Sequence, residues 1–167
     1  MSPYKFQRFL LPLFTIICIY STAQSSTDQK KQDKHAQLKS MIDSKHFQFL
    51  ALSATSMKGK TVQLTSEYFL KLNNDSLDVY LPYYGRSFTA DYPGTDVSVR
   101  FNSTQFTYSA DSTKKGGWDI TIVPKNEPKS NKINMSITTS GYCNIYISSN
   151  TRQSISYYGY IKEYNAR

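Results

Sequence analysis

Leu64-Thr65-Ser66-Glu67-Tyr68-Phe69-Leu70-Lys71-Leu72-Asn73-Asn74-Asp75-Ser76-Leu77-Asp78-Val79-Tyr80-Leu81 decides the fold class. An extended chain puts Leu64, Tyr68, Leu70 and Leu72 on one side and Thr65, Glu67, Phe69 and Lys71 on the other. The period then resumes after Asn73–Ser76 with Leu77, Val79 and Leu81. A period of two belongs to a strand with one buried face, and clustered Asn and Asp reverse the chain tightly. The stretch predicts a β-hairpin.

The same period extends outward in both directions. Upstream, Phe47, Phe49 and Ala51 alternate before a glycine turn at Met57–Lys60. Downstream come Val97, Val99 and Phe101, then Phe106 and Tyr108, then Trp118, Ile120 and Ile122 after a polar tip at Asp111–Gly117. Ile133, Met135 and Ile137 turn at Ser140-Gly141 into Cys143, Ile145 and Ile147, and Ile155 to Ile161 closes the series. No stretch between them is long and helical enough for a parallel crossover, so the strands form an antiparallel meander. The expected fold is all-β: a single up-and-down, lipocalin-like barrel of about eight strands, with a two-sheet sandwich as the alternative. Both faces of the last strand are apolar or aromatic, so it is expected to pair with the first strand and close the barrel.

Before the barrel, Leu38, Met41 and Ile42 share one face of a short helix that starts near His35 and packs against the sheet. Residues 24–34 are polar without an apolar period and read as a flexible leader. Lys5 and Arg8, an apolar run from Phe9 to Tyr20, and small residues at Ser21 and Ala23 make 1–23 a signal peptide. The expected division is therefore 1–23 signal, 24–34 leader and 35–167 one β domain, exported to the periplasm or secreted. The apolar run is shorter than a membrane-spanning helix needs, and no transmembrane segment is expected.

Processing after Ala23 removes Cys18 and leaves Cys143 alone, so no internal disulfide is available and the core must suffice. Cys143 alternates with Ile145 and Ile147 and reads as a buried, inert thiol. The formal charge of +8 is spread over the leader and separate turns, which fits solubility and excludes a concentrated nucleic-acid surface. His35 and His46 are the only histidines, both expected on the surface, so no metal or other cofactor is called for. No nucleophile elbow, phosphate loop or dinucleotide fingerprint occurs, and an envelope hydrolase has no acid–base pair in its favour.

Fourteen tyrosines are the compositional excess that remains. They gather beside multi-donor side chains in two places. At Leu81-Pro82-Tyr83-Tyr84-Gly85-Arg86 a strand breaks at proline and bends at glycine. At Asn150-Thr151-Arg152-Gln153 a turn leads into Tyr157 and Tyr158. Tyr83, Tyr84, Arg86, Asn150, Arg152, Gln153 and Tyr157 are the candidate ligand-binding residues. Arginine clamps carboxylate, sulfate or phosphate, whereas the same tyrosines also serve as plain sheet formers. The leading expectation is a binding module for a small apolar or amphipathic ligand. A protein-interaction or inhibitor domain that meets an envelope protein through outer-face tyrosines is the alternative.

Leu81–Arg86 together with Ser149-Asn150-Thr151-Arg152-Gln153-Ser154-Ile155-Ser156-Tyr157-Tyr158-Gly159 resembles the exported Bacteroidetes family called domain of unknown function 4251. Phe101-Asn102 and Lys114-Lys115-Gly116-Gly117 also fit. The resemblance covers the chain from the helix onward and implies export and fold, with no activity to carry over. Tyr158 beside Tyr157 departs from its pattern and leaves open which tyrosine points inward. The origin it implies would make Asp75-Ser76-Leu77 and Asp111-Ser112-Thr113 acceptors for O-glycosylation, and both also fit plain turns.

Overall fold

The alternating runs form nine antiparallel strands in the structure, a computed structural model that describes residues 22–88, 98–125, 127 and 130–164. They are β1 (His46–Ser56), β2 (Thr61–Asn73), β3 (Ser76–Leu81), β4 (Val99–Ser103) and β5 (Phe106–Ser112), then β6 (Trp118–Pro124), β7 (Lys132–Ile137), β8 (Tyr142–Ser148) and β9 (Ile155–Lys162). One sheet holds them in the order β4-β3-β2-β1-β9-β8-β7-β6-β5. Every neighbour except the β1–β9 pair is consecutive in sequence, which is the meander, and β1 joins β9 from Gln48↔Lys162 to Ser56↔Ile155. The last strand thus pairs with the first as expected, but only its inward face is covered: Tyr158 and Tyr160 on the other face are exposed.

The sheet curls into a nearly closed barrel of nine strands rather than about eight. Its edges are β4 and β5, which are separated by only Thr104 and Gln105. Eight antiparallel steps around the sheet leave these two strands running in the same sense. The chain therefore leaves one edge and enters the other as a bent continuation, and the last gap is closed by covalent chain instead of a ladder. Gln105 ties the bend down, donating its N–H to Ser103 Oγ (3.2 Å) and accepting from Lys125 N–H (2.8 Å).

Inward side chains form one continuous buried cluster. Phe47 and Phe49, Leu70 and Leu72, Leu77, Val79 and Leu81, and Ile120 and Ile122 meet Ile133, Met135, Ile145 and Tyr157, all essentially without exposure. Cys143 belongs to it, and burial pushes its thiol pKa well up, so it stays protonated. Gly159 lies tight against β1: a Cβ there would lie 1.9 Å from the Leu50 carbonyl oxygen. The β1 register shifts beside it, between Ala51 and Ser53.

Helix α1 (Thr22–Asp43) closes one end of the barrel. Leu38, Met41 and Ile42 enter the core as their spacing predicts. The helix is longer than expected, and the segment 24–34, read as a flexible leader, lies within it. Its Gln and Lys residues propagate a helix readily once the last two turns are docked, and Gln29 Nε2 donates to Asp33 Oδ1 four residues on (3.1 Å). Of the expected signal peptide 1–23, residues 1–21 lie outside the described residues, as does Val97 of the alternating run before Phe101. The described helix is not long and apolar enough to cross a membrane.

His35 and His46, expected on the surface, are both half-buried. The His35 ring packs on Trp118 at 4.8 Å with Nε2 3.0 Å from the Gly116 carbonyl, locking α1 to the β5–β6 turn. His46 sits between Asn73 Oδ1 (3.0 Å) and the Tyr164 carbonyl (2.8 Å). His35 ties the helix to the barrel, and His46 ties the start of β1 to the end of β2 and the C-terminal segment.

Candidate functional site

The opposite end of the barrel carries the residues singled out in the sequence. Pro82 ends β3, and the chain from Tyr83 to Phe88 then lies antiparallel to the β8–β9 connection. Ser87 and Arg152 form an isolated bridge, with Phe88 N–H donating to Thr151 O (2.8 Å) and Gln153 N–H to Arg86 O (3.0 Å). Two segments more than sixty residues apart in sequence thus build one corner.

Three candidates hold that corner from inside. Tyr157 is buried, and its hydroxyl donates to the Pro82 carbonyl at 2.7 Å. The Tyr83 hydroxyl lies within donating distance of two carbonyls, Gln153 O (2.9 Å) and Arg86 O (3.0 Å). Arg152 is only 4 % exposed, with its guanidinium 5.1 Å from the Tyr83 ring centre, a cation–π geometry. Burial pushes the Tyr157 pKa up, reinforced by Tyr83 and Tyr84 and opposed by Arg152. Burial also raises that of Tyr83, against Arg152 and its hydrogen bond at Gln153. Both hydroxyls stay protonated and donating. Gly85 is required by close approach, since a Cβ there would stand 2.4 Å from the Tyr83 hydroxyl.

The other side of the corner faces solvent. Tyr84 and Arg86 are exposed, and with Gln153 they line an open groove of about 320 Å³. Its far wall is the β1–β2 turn, which contributes Ser56, Lys58 and Lys60. Arg86 N–H also donates to Gln153 Oε1 at 3.3 Å, which orients that amide along the groove. No carboxylate lines the groove among the described residues, so three cations, Lys58, Lys60 and Arg86, stand around Tyr83 and the exposed Tyr84.

Of the seven candidates, then, Tyr83, Arg152 and Tyr157 fasten the corner, Tyr84, Arg86 and Gln153 present it, and Asn150 stands apart. The Asn150 N–H caps Asn131 Oδ1 at 3.1 Å in the neighbouring loop. Tyr157 points inward and Tyr158 outward, which resolves the departure noted in the sequence. Lys58 and Lys60 were missed as site residues because the sequence shows them only as lysines of a turn. Their place opposite Arg86 depends on the β1–β9 pairing, which sets Thr55 beside Ser156.

The family model described as "Domain of unknown function (DUF4251)" matches residues 29–161. The chain belongs to that family. Among solved structures, this DUF4251 chain is similar to a DUF4251 family protein from Bacteroides eggerthii DSM 20697, with a TM-score of 0.56 and 16% identity over 84% of this chain and 92% of that one. At that identity the likeness bears on the fold alone. No curated protein matches the chain. Ser76 and Ser112, the acceptor serines that the family resemblance implies, sit at the first residue of β3 and the last of β5, at strand ends beside turns.

Proposed function

We propose that this DUF4251 protein is an exported binding module that holds a small amphipathic, anionic ligand in the groove beside the Pro82–Arg86 corner. One observation carries the reading. The corner's backbone is pinned by Tyr83, Tyr157 and the Ser87–Arg152 bridge, while Tyr84, Arg86, Gln153, Lys58 and Lys60 are left facing one groove. Rigid backbone beneath exposed donors lowers the ordering cost of binding. The Tyr84 ring covers the apolar part of the ligand, Arg86 clamps its carboxylate, sulfate or phosphate, and the lysines add charge. The ligand sits at the rim because bulky side chains occupy the interior.

A thermal-shift screen of fatty acids, bile acids and acidic glycans tests this reading. Binding at a hundredfold excess over Kd adds about 2.7 kcal/mol. For a domain of this size that raises Tm by roughly 5–10 °C. Arg86→Ala and the Lys58→Ala/Lys60→Ala pair abolish the shift while the ligand-free Tm stays near wild type. Absence of any stabilising compound, or a full shift in Arg86→Ala, overturns the reading. Export is tested separately: mass spectrometry of the protein from its host finds Gln24 at the N-terminus.

A further inference from the structure

The outer face of β8 and β9 is built from a different set of side chains. Tyr142 stands opposite Tyr160, Asn144 opposite Tyr158, and Tyr146 opposite Ser156. The four tyrosines are 37% to 46% exposed and lie side by side on one face. The Tyr142 and Tyr158 rings lie parallel to within 6° at 5.8 Å, an offset that keeps them out of full face-to-face contact. Alternate residues on a strand are about 6.6–6.8 Å apart, so Tyr142 to Tyr146 spans ~13 Å of flat surface.

The rows continue onto β7 and β6 with polar side chains. Asn144 is followed by Ser136 and Asp119, and Tyr146 by Asn134 and Thr121. These groups are held in place by one another: Ser136 Oγ donates to Asp119 Oδ1 (2.7 Å) and Thr121 Oγ1 to Asn134 Oδ1 (3.4 Å). Neither row contains a lysine or arginine, and Lys132 and Lys162 flank them at the next outward positions of β7 and β9.

We propose that this face is a platform for an uncharged oligosaccharide chain. A pyranose ring has an apolar C–H face that stacks on tyrosine and a rim of hydroxyls that pairs with amide, hydroxyl and carboxylate side chains. Fixed tyrosines lose little rotamer entropy on contact. Other occupants fit the chemistry worse. A polyanion meets Asp119 beside the tyrosines, with Lys132 and Lys162 only at the margins of the rows, unlike the cation-walled rim groove. An acyl chain strips water from Asn144, Ser136 and Asp119 without replacing their hydrogen bonds.

Affinity electrophoresis of the purified protein through gels containing mixed-linkage β-glucan, arabinoxylan, galactomannan, α-mannan or amylopectin reads the binding directly. At least one polysaccharide retards the wild type. Tyr142→Ala and Tyr158→Ala each weaken that retardation about tenfold, in line with the loss of one aromatic stacking contact. Tyr142→Phe retains most of it, and Tyr84→Ala, in the rim groove, leaves it unchanged. The proposal is overturned if no gel retards the protein, or if the Tyr142→Ala/Tyr158→Ala double variant migrates like the wild type. It is equally overturned if the double variant instead dissociates a dimer on size exclusion, which would assign the face to a second copy.

Discussion

Gly159→Ala probes the seam on which the barrel depends. The added methyl would lie 1.9 Å from the Leu50 carbonyl oxygen and 2.8 Å from Phe49 Cε2. Non-bonded heavy atoms prefer about 3.5–4.0 Å, so β1 must withdraw by more than ~1 Å from β9. Backbone supplies the closest atom, and no rotamer change relieves it. Each ladder hydrogen bond broken in a buried setting costs about 1–3 kcal/mol, and overpacking adds roughly 1–3 kcal/mol. Loss of glycine's freedom in the unfolded chain returns about 0.4–1 kcal/mol. Central values net to a destabilisation of about 3 kcal/mol with one bond broken and about 5 kcal/mol with two, a large part of the 5–15 kcal/mol typical of a domain.

Urea unfolding followed by the fluorescence of Trp118, itself buried, reads this as a lower midpoint at unchanged m. Tm falls by roughly 6–20 °C. Gly59→Ala in the β1–β2 turn is the control: its φ is +80° with nothing within 4 Å of an added Cβ, so only backbone strain of about 1–2 kcal/mol applies. If Gly159→Ala lies within about 1 kcal/mol of wild type, or matches Gly59→Ala, the account of the seam is refuted.

Tyr157→Phe removes the donor to the Pro82 carbonyl and keeps the ring, so it costs about 1–2 kcal/mol in the same urea assay; an unchanged midpoint would show that this hydrogen bond does not hold the corner. Tyr83, Tyr108 and Tyr157 all have raised pKa values, chiefly through burial. An acid that holds its proton more tightly when folded stabilises fully below its ordinary pKa near 10, and that contribution is lost as pH climbs from there toward the raised value. Stability therefore declines above about pH 10, and phenolate absorbance shows a group of tyrosines that ionise only on unfolding; complete tyrosine titration in the folded protein contradicts this. Cys143 is inert to a thiol-reactive disulfide reagent at pH 8 in buffer and reacts at once in denaturant, whereas a fast native reaction places it outside the core.

Period-two patterning, read locally, marked the runs that become the strands, though it put their number at about eight rather than nine, because a half-buried strand must alternate whatever it pairs with. The β1–β9 closure was anticipated from apolar and aromatic residues on both faces of β9, although its outer face, with Tyr158 and Tyr160, stays exposed in the barrel. The core stripe of α1 was legible in Leu38, Met41 and Ile42, but the helix's reach back to Thr22 was not. Its polar residues carry no period, and propagation from a docked end leaves no mark on the residues it passes through. The candidate site was legible as a pair of segments rich in tyrosine and arginine. Which hydroxyls are used up inside the corner could not be read locally, since Tyr83 and Tyr157 meet carbonyls supplied from distant parts of the chain.

The amino-acid order alone thus determined the class of fold, the identity of the core faces and the neighbourhood of the site, because each depends on residues a few positions apart. Tertiary structure decided that β4 runs on into β5 to complete the barrel, that Lys58 and Lys60 share a groove with Arg86, and that Tyr157 turns inward where Tyr158 turns out. Those facts depend on where a curled sheet brings distant strands together, and curvature is a property of the whole assembly that no single segment encodes.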